Sequence, residues 1–168
     1  TNHYREAYNI FACCGILFNH ESPLRGLEFV TRKITWTLAK IKLKKQEKLH
    51  LGNINAKRDW GFAGDYVEAM WMMLQQKNPD DYVVATGKSY SVEEFLTIAS
   101  EYAGLEDWHN FVEIDESMMR PSDIKDLVGD NSKIKEKTGW SPKTSFEELV
   151  KKMVDHDIEY LKLHPSSL

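Results

Sequence analysis

The apolar run Gly15-Ile16-Leu17-Phe18 breaks directly into Asn19-His20-Glu21-Ser22-Pro23, followed by Arg25 and Gly26, the pattern of a buried strand that delivers polar groups to a ligand. Two further arginines stand in unusual settings, Arg58 within Ala56-Lys57-Arg58-Asp59-Trp60-Gly61 and Arg120 between Met119 and Pro121. A guanidinium group is the side chain best shaped to hold two phosphate oxygens at once, so the three segments together point to an anionic ligand, with Arg58 and Arg120 able to grip a diphosphate. Beside Arg58, the Trp60 indole could stack on the guanidinium and Asp59 could orient it; a purely structural Arg58–Asp59 pair explains the spacing equally well. The Pro121 ring restricts the backbone of Arg120 and so can fix the direction of its side chain.

For Asn19 and Ser22 the competing reading is turn hydrogen bonding ahead of Pro23, and for His20 that of a satisfied loop residue. Gly26 permits a close approach, and the first backbone donors of a helix near Phe29 and Val30 could meet a phosphate or a base carbonyl, with Lys33 one turn further in. A solvated surface lysine is the plainer reading of Lys33. Met70, Met72 and Met73, interleaved with Trp71, read as ordinary helix packing, and Asp155-His156-Asp157 as a solvated helix face.

Other chemistries lack their signatures. There is no Gly-x-Gly-x-x-Gly or Walker loop, no Cys/His metal cluster, no Gly-x-Ser-x-Gly elbow and no Tyr-x-x-x-Lys pair. The only cysteines, Cys13 and Cys14, are adjacent and read as reduced core residues. With 22 basic and 26 acidic residues the formal charge is -4, which supplies no general attraction to nucleic acid or anionic membranes. No apolar run approaches the ~18 residues needed to cross a bilayer. With no Asn-x-Ser/Thr acceptor, a cytoplasmic location is expected.

The elements that must position these residues follow from periodicity. Tyr4, Ala7 and Tyr8 mark the tail of an amphipathic helix, and because the sequence opens there without Met it is expected to be a piece of something longer. Phe11 to Phe18 predicts a strand covered on both faces, and Asn19 to about Leu27 a loop. Phe29 to Leu43 predicts a helix, and Leu49 to Leu51 a short strand. Val67, Met70, Trp71 and Leu74 form the apolar stripe of another helix, and Tyr82 to Ala85 predicts a strand. Ser91-Val92-Glu93-Glu94 and Ser145-Phe146-Glu147-Glu148 are capping boxes, each opening a helix. The first continues through Phe95, Leu96, Ala99, Tyr102 and Ala103. Leu105 to Gly129 is irregular, with one strand at Phe111 to Ile114. The class is mixed α/β around one sheet of three or four strands, with further strands expected upstream.

GILFNHESPLRG, Phe29-Val30-Thr31-Arg32-Lys33-Ile34, Leu51-Gly52-Asn53, AKRDWG, Asp65-Tyr66-Val67-Glu68-Ala69-Met70-Trp71, Ala85-Thr86-Gly87 and Arg120-Pro121 together resemble, in collinear order, the C-terminal half of GDP-mannose 4,6-dehydratases. These are extended short-chain dehydrogenase/reductases with an N-terminal Rossmann domain for NADP and a smaller domain for the sugar nucleotide. The resemblance implies that residues 1–28 are a Rossmann remnant, that 29–168 form the GDP-mannose domain, and that segments around 55–86 return to the Rossmann sheet. It assigns His20 and Arg25 to NADP. Asn19, Val30, Lys33, Gly52, Asn53, Ala56, Arg58, Arg120 and Asp123 it assigns to GDP-mannose, with Asp123 standing where the family carries Glu in Arg-Pro-x-Glu.

In such enzymes a held NADP takes hydride from C4 of the sugar, water is eliminated across C5 and C6, and hydride returns to C6. The Thr, Glu, Tyr and Lys that run this chemistry would lie upstream of Thr1, so no catalytic residue and no metal is expected in this chain. A homodimer or tetramer is implied for the whole enzyme. A related nucleotide-sugar reductase or epimerase, and a non-catalytic nucleotide-sugar binding or assembly module, are the competing readings.

Overall fold

A computed structural model of the chain describes residues 1–105, 107–120 and 122–165. The N-terminal helix α1 (Asn2–Tyr8) leads to β1 (Cys14–Leu17), β2 (Asn19–Glu21), α2 (Val30–Lys42) and β3 (Leu49–Leu51). Next come β4 (Lys57–Arg58), β5 (Trp60–Phe62), α3 (Ala63–Leu74), β6 (Asp81–Val84), β7 (Tyr90–Ser91) and α4 (Val92–Ala103). The chain ends with β8 (Val112–Ile114), β9 (Asp126–Leu127), α5 (Ser132–Thr138) and α6 (Phe146–Leu163).

The α/β class holds, but the single sheet is replaced by four small ones among the described residues. β1 pairs with β6, β2 with β5 and β3 with β8, all in parallel, while β4 lies between antiparallel β7 and parallel β9. One segment, Cys14–Glu21, serves two sheets: after Phe18 donates to the Val84 carbonyl, it leaves β6 and joins β5. The expected loop from Asn19 therefore begins three residues late, because Asn19, His20 and Glu21 pair with Trp60, Gly61 and Phe62. The strand expected over Phe11 to Phe18 shortens to Cys14–Leu17, and Ile16 and Phe11, expected to be covered, are exposed.

Two hydrophobic clusters hold these sheets. The larger joins α2, α4 and α6 through Ile34, Leu38, Phe95, Leu96, Met153 and Leu161, and reaches the strands at Leu49, Leu51 and Trp60. Trp60 lies near-parallel to Phe146 at 6.2 Å and edge-on to Phe95, so the AKRDWG segment is anchored in this core by its indole. The smaller cluster packs Tyr66, Ala69 and Met73 of α3 against Tyr82, Val84, Ile134 and Trp140. Here the sequence expectation is overturned: Val67, Trp71 and Leu74 are exposed, and Met70 is 39% exposed. Both stripes of α3 are apolar, and the polar contacts decide which one turns inward. Buried Asp65 accepts from the backbone of Lys143 and Thr144, and Trp140 Nε1 donates to the Asp65 carbonyl.

Both capping boxes form. Ser91 Oγ accepts from Glu94 N while Glu94 Oε2 accepts from Ser91 N, and Ser145 with Glu148 repeats the exchange at α6. Ser145→Ala leaves the Glu148 amide without its side-chain acceptor and is expected to cost about 1 kcal/mol, read as a lower denaturation midpoint. On α4, Tyr102 departs from the expected buried face and is partly exposed. On α6 the solvated-face expectation fails at Asp157, which is fully buried and bonded to Arg32 and Thr35 of α2. The helical period placed it on the inner side, and the arginine that neutralises it sits far away in sequence.

Candidate functional site

Successive side chains of β2 point to opposite sides of the strand. Asn19 and Glu21 face a cavity of about 520 Å³, whereas His20 turns away from it. Val30 and Lys33 from the first turns of α2 line the same cavity, as do Gly52, Asn53 and Ala56 after β3, Arg58 on β4, and Arg120 and Asp123. The nine positions that the resemblance assigned to GDP-mannose, scattered from residue 19 to residue 123, thus meet at one opening, of the size that small-molecule ligands occupy. Glu21, Phe29 and Trp60, from the segments already singled out, also line it, as do Leu51, Val92 and Met118, which carried no binding signal in the sequence.

Arg58 is oriented by partners other than those its neighbours suggested. Its Nη2 donates to Asp123 Oδ1 at 2.6 Å, and its Nη1 donates to the carbonyls of Lys57 and Ile124. The other Asp123 oxygen accepts from Asn53 Nδ2 at 3.4 Å. Trp60 does not stack on this guanidinium but enters the core, and Asp59 points the opposite way. There the fully buried Asp59 carboxylate accepts from Thr86 N, Thr86 Oγ1, Gly87 N and Gly129 N. Asp59 therefore ties β4 and β5 to two later loops, a role that sequence spacing does not reveal because its partners lie 27 to 70 residues downstream.

α2 begins with Phe29 as a cap that offers no side-chain acceptor, so the first amides of the helix keep their donors where Phe29, Val30 and Thr31 line the cavity. Lys33 Nζ lies 3.4 Å from Met118 Sδ. Gly52 packs so closely that a Cβ there would come 2.8 Å from the Met118 carbonyl oxygen. Gly52→Ala must displace the Met118 backbone, two residues before Arg120, and is expected to lower stability by about 1–3 kcal/mol, read by denaturant titration. Pro121, expected to restrict Arg120, lies outside the described residues.

Glu21 is buried, and that burial pushes its carboxyl above the ordinary range, opposed by a 2.6 Å hydrogen bond from Thr31 Oγ1 and by the nearby charge of Arg25. The other two candidates, His20 and Arg25, do not line the cavity. His20 Nδ1 lies 2.9 Å from the Phe18 carbonyl, which can only accept, so Nδ1 donates in this contact. Its ring packs 5.4 Å from that of Tyr66, whose phenol is pushed upward by burial and by nearby carboxylates and stays neutral. Arg25 lies over the Phe29 ring at 3.6 Å, with its buried Nε unpartnered and 3.7 Å from Glu21 Oε2.

Residues 1–153 match the family pattern described as GDP-mannose 4,6 dehydratase. The chain is 62% identical over 162 residues to GDP-mannose 4,6 dehydratase 1 of Arabidopsis thaliana, covering 96% of this chain and 45% of that protein. It is 46% identical over 180 residues to GDP-mannose 4,6 dehydratase of Homo sapiens, covering 98% of this chain and 48% of that one. The chain spans about half the length of the relatives it matches. Among solved structures, RMD from Pseudomonas aeruginosa complexed with NADPH superposes with a TM-score of 0.86 at 19% identity, over 94% of this chain and 52% of that one. UDP-glucose 4-epimerase from Thermotoga maritima gives 0.80 at 21% identity. At such low identity these two likenesses concern the fold alone.

Proposed function

The chain belongs to the GDP-mannose 4,6-dehydratase family, and from that membership we propose that it forms the GDP-mannose-binding half of an enzyme that converts GDP-mannose to GDP-4-keto-6-deoxymannose with NADP. In this reading residues 29–168 supply the sugar-nucleotide site. Residues 1–28, together with segments near 55–86, belong with the dinucleotide-binding domain, and the whole enzyme is a homodimer or tetramer. The observation that carries it is the meeting of Asn19, Lys33, Asn53, Arg58, Arg120 and Asp123 at one cavity.

The roles follow from charge and geometry. Arg58 and Arg120 neutralise the diphosphate from two sides, and Asp123 holds the Arg58 fork in place while sharing its second oxygen with Asn53. The open N-terminus of α2, with Val30 and Lys33, offers donors and positive potential to an acceptor group of the nucleotide. NADP, when bound, supplies the hydride acceptor and donor that the conversion needs. The residues beside the site suit it: Arg25 keeps an unpartnered buried Nε donor, 3.7 Å from the Glu21 carboxylate, and His20 Nε2 has no hydrogen-bond partner among the described residues. In this reading the acid and base for the elimination are supplied by the other half of the protein.

Incubating GDP-mannose and NADP with the full-length protein is expected to yield a product that has lost water, read by mass spectrometry. The 168 residues alone are expected to yield none. A product that has gained hydrogen from NADPH would replace the dehydratase by a reductase. Dehydration by the isolated chain would overturn the division of labour.

A further inference from the structure

The loop from Ser22 to Phe29 carries Arg25 and presents Leu24, Leu27 and Phe29 to solvent, so little packing fixes it. Within the loop, Arg25 N donates to the Ser22 carbonyl, Leu24 N to Ser22 Oγ, and Phe29 N to the Gly26 carbonyl. Among the described residues, the only side chain that reaches the backbone of residues 23–28 from outside the loop is Arg32, whose Nε donates to the Arg25 carbonyl at 3.1 Å. Arg32 is itself buried. Its Nη1 is bonded to Asp157 Oδ1, and the second Asp157 oxygen accepts from Thr35 Oγ1 at 2.6 Å. His156 Nδ1 stands 3.3 Å from the same carboxylate.

We propose that Asp157 of α6 and Arg32 of α2 are positioning residues for the cofactor-contacting loop, the buried carboxylate fixing Arg32 so that its Nε holds the Arg25 backbone and aims the Arg25 guanidinium at NADP. This rests on the reading of Arg25 as an NADP contact. An arginine that must bond a backbone carbonyl with one nitrogen and a carboxylate with another has its plane fixed by the pair, and without the carboxylate the Nη1 end loses the partner that sets that plane. Asp157 does not line the cavity, and of its partners Arg32, Thr35 and His156, Arg32 is the one that reaches the loop among the described residues. On the far side of the loop, Glu21 stands 3.7 Å from Arg25 Nε and is tethered by Thr31, so backbone and side chain of Arg25 are steadied from opposite directions.

The test is a double-variant cycle in the full-length enzyme, with NADP dissociation constants by titration and KM for GDP-mannose measured alongside thermal midpoints. Asp157→Asn is expected to weaken NADP binding about ten-fold with a smaller change in KM, and in an Arg25→Ala background to weaken it no further. Met153→Ala, a cavity on the same helix, is expected to lower the midpoint comparably and leave NADP binding unchanged. Should Asp157→Asn fail to fold, Thr35→Val removes one hydroxyl from the same carboxylate and carries the same comparison. Arg25→Ala binding NADP as tightly as the parent would overturn the cofactor reading and the proposal together. Arg25→Ala weakening NADP while Asp157→Asn changes only the thermal midpoint would overturn the positioning role alone.

Discussion

Arg58→Ala in the full-length protein is expected to weaken GDP-mannose binding about 30-fold or more, which corresponds to about 2 kcal/mol, the scale of a lost charge-assisted bond to phosphate. Arg58 spends its donors on Asp123 and two carbonyls, so removing it also leaves Asp123 as an uncompensated carboxylate facing an anionic ligand. Arg58→Lys keeps the charge but not the fork, cannot hold all three acceptors, and is expected to recover only part of the loss. Arg120 is exposed at the rim of the same cavity, so Arg120→Ala is expected to weaken binding with less effect on stability. If both groups clasp one diphosphate, the double variant falls short of the sum of the singles. Calorimetric titration of GDP-mannose into the four proteins decides it, and unchanged affinity in both single variants would remove the diphosphate grip.

What could be read in the sequence, and what could not, divides along the range of the forces involved. Both capping boxes were legible because every participant lies within four residues. The helical spans of α2, α4 and α6 were legible because one face of each is apolar at a single period. The face of α3 was not, because both its stripes are apolar and the choice depends on Asp65 meeting the amides of Lys143 and Thr144. Arg58 was singled out and does line the cavity, yet its orienting acid was sought next to it, where a strand must send the neighbouring side chain to the other face. The acid that orients it, Asp123, was assigned by resemblance to the ligand rather than to the arginine. Asp157 was read as solvated for the same reason: its counter-ion, Arg32, is 125 residues away. Polar pairs that close long loops leave no periodic trace, and in this chain they do much of the positioning.

Asp59 is the most consequential of these long-range groups, and its substitution is expected to be strongly destabilising. Asp59→Ala withdraws the acceptor from three backbone amides and one hydroxyl, all directed at one buried carboxylate. Each orphaned donor costs about 1–3 kcal/mol, and some rehydrate because Thr86 is only partly buried, so a total near 4 kcal/mol is expected. In a protein of this size that lowers the thermal midpoint by roughly 8–16 °C. Asp59→Asn separates charge from shape. One amide oxygen can still accept from Thr86, but the NH2 group then meets the Gly87 and Gly129 amides donor to donor, so asparagine is expected to be nearly as damaging as alanine. Glu adds a methylene to a fully buried site and is expected to be poorly tolerated as well. Because Arg58 precedes Asp59 on the same backbone, loss of this anchor also releases the arginine, and GDP-mannose affinity measured below the lowered midpoint is expected to fall with it. An Asp59→Asn protein that melts with the parent would mean that the four donors need only an oxygen nearby, and that the anchor is geometric rather than ionic.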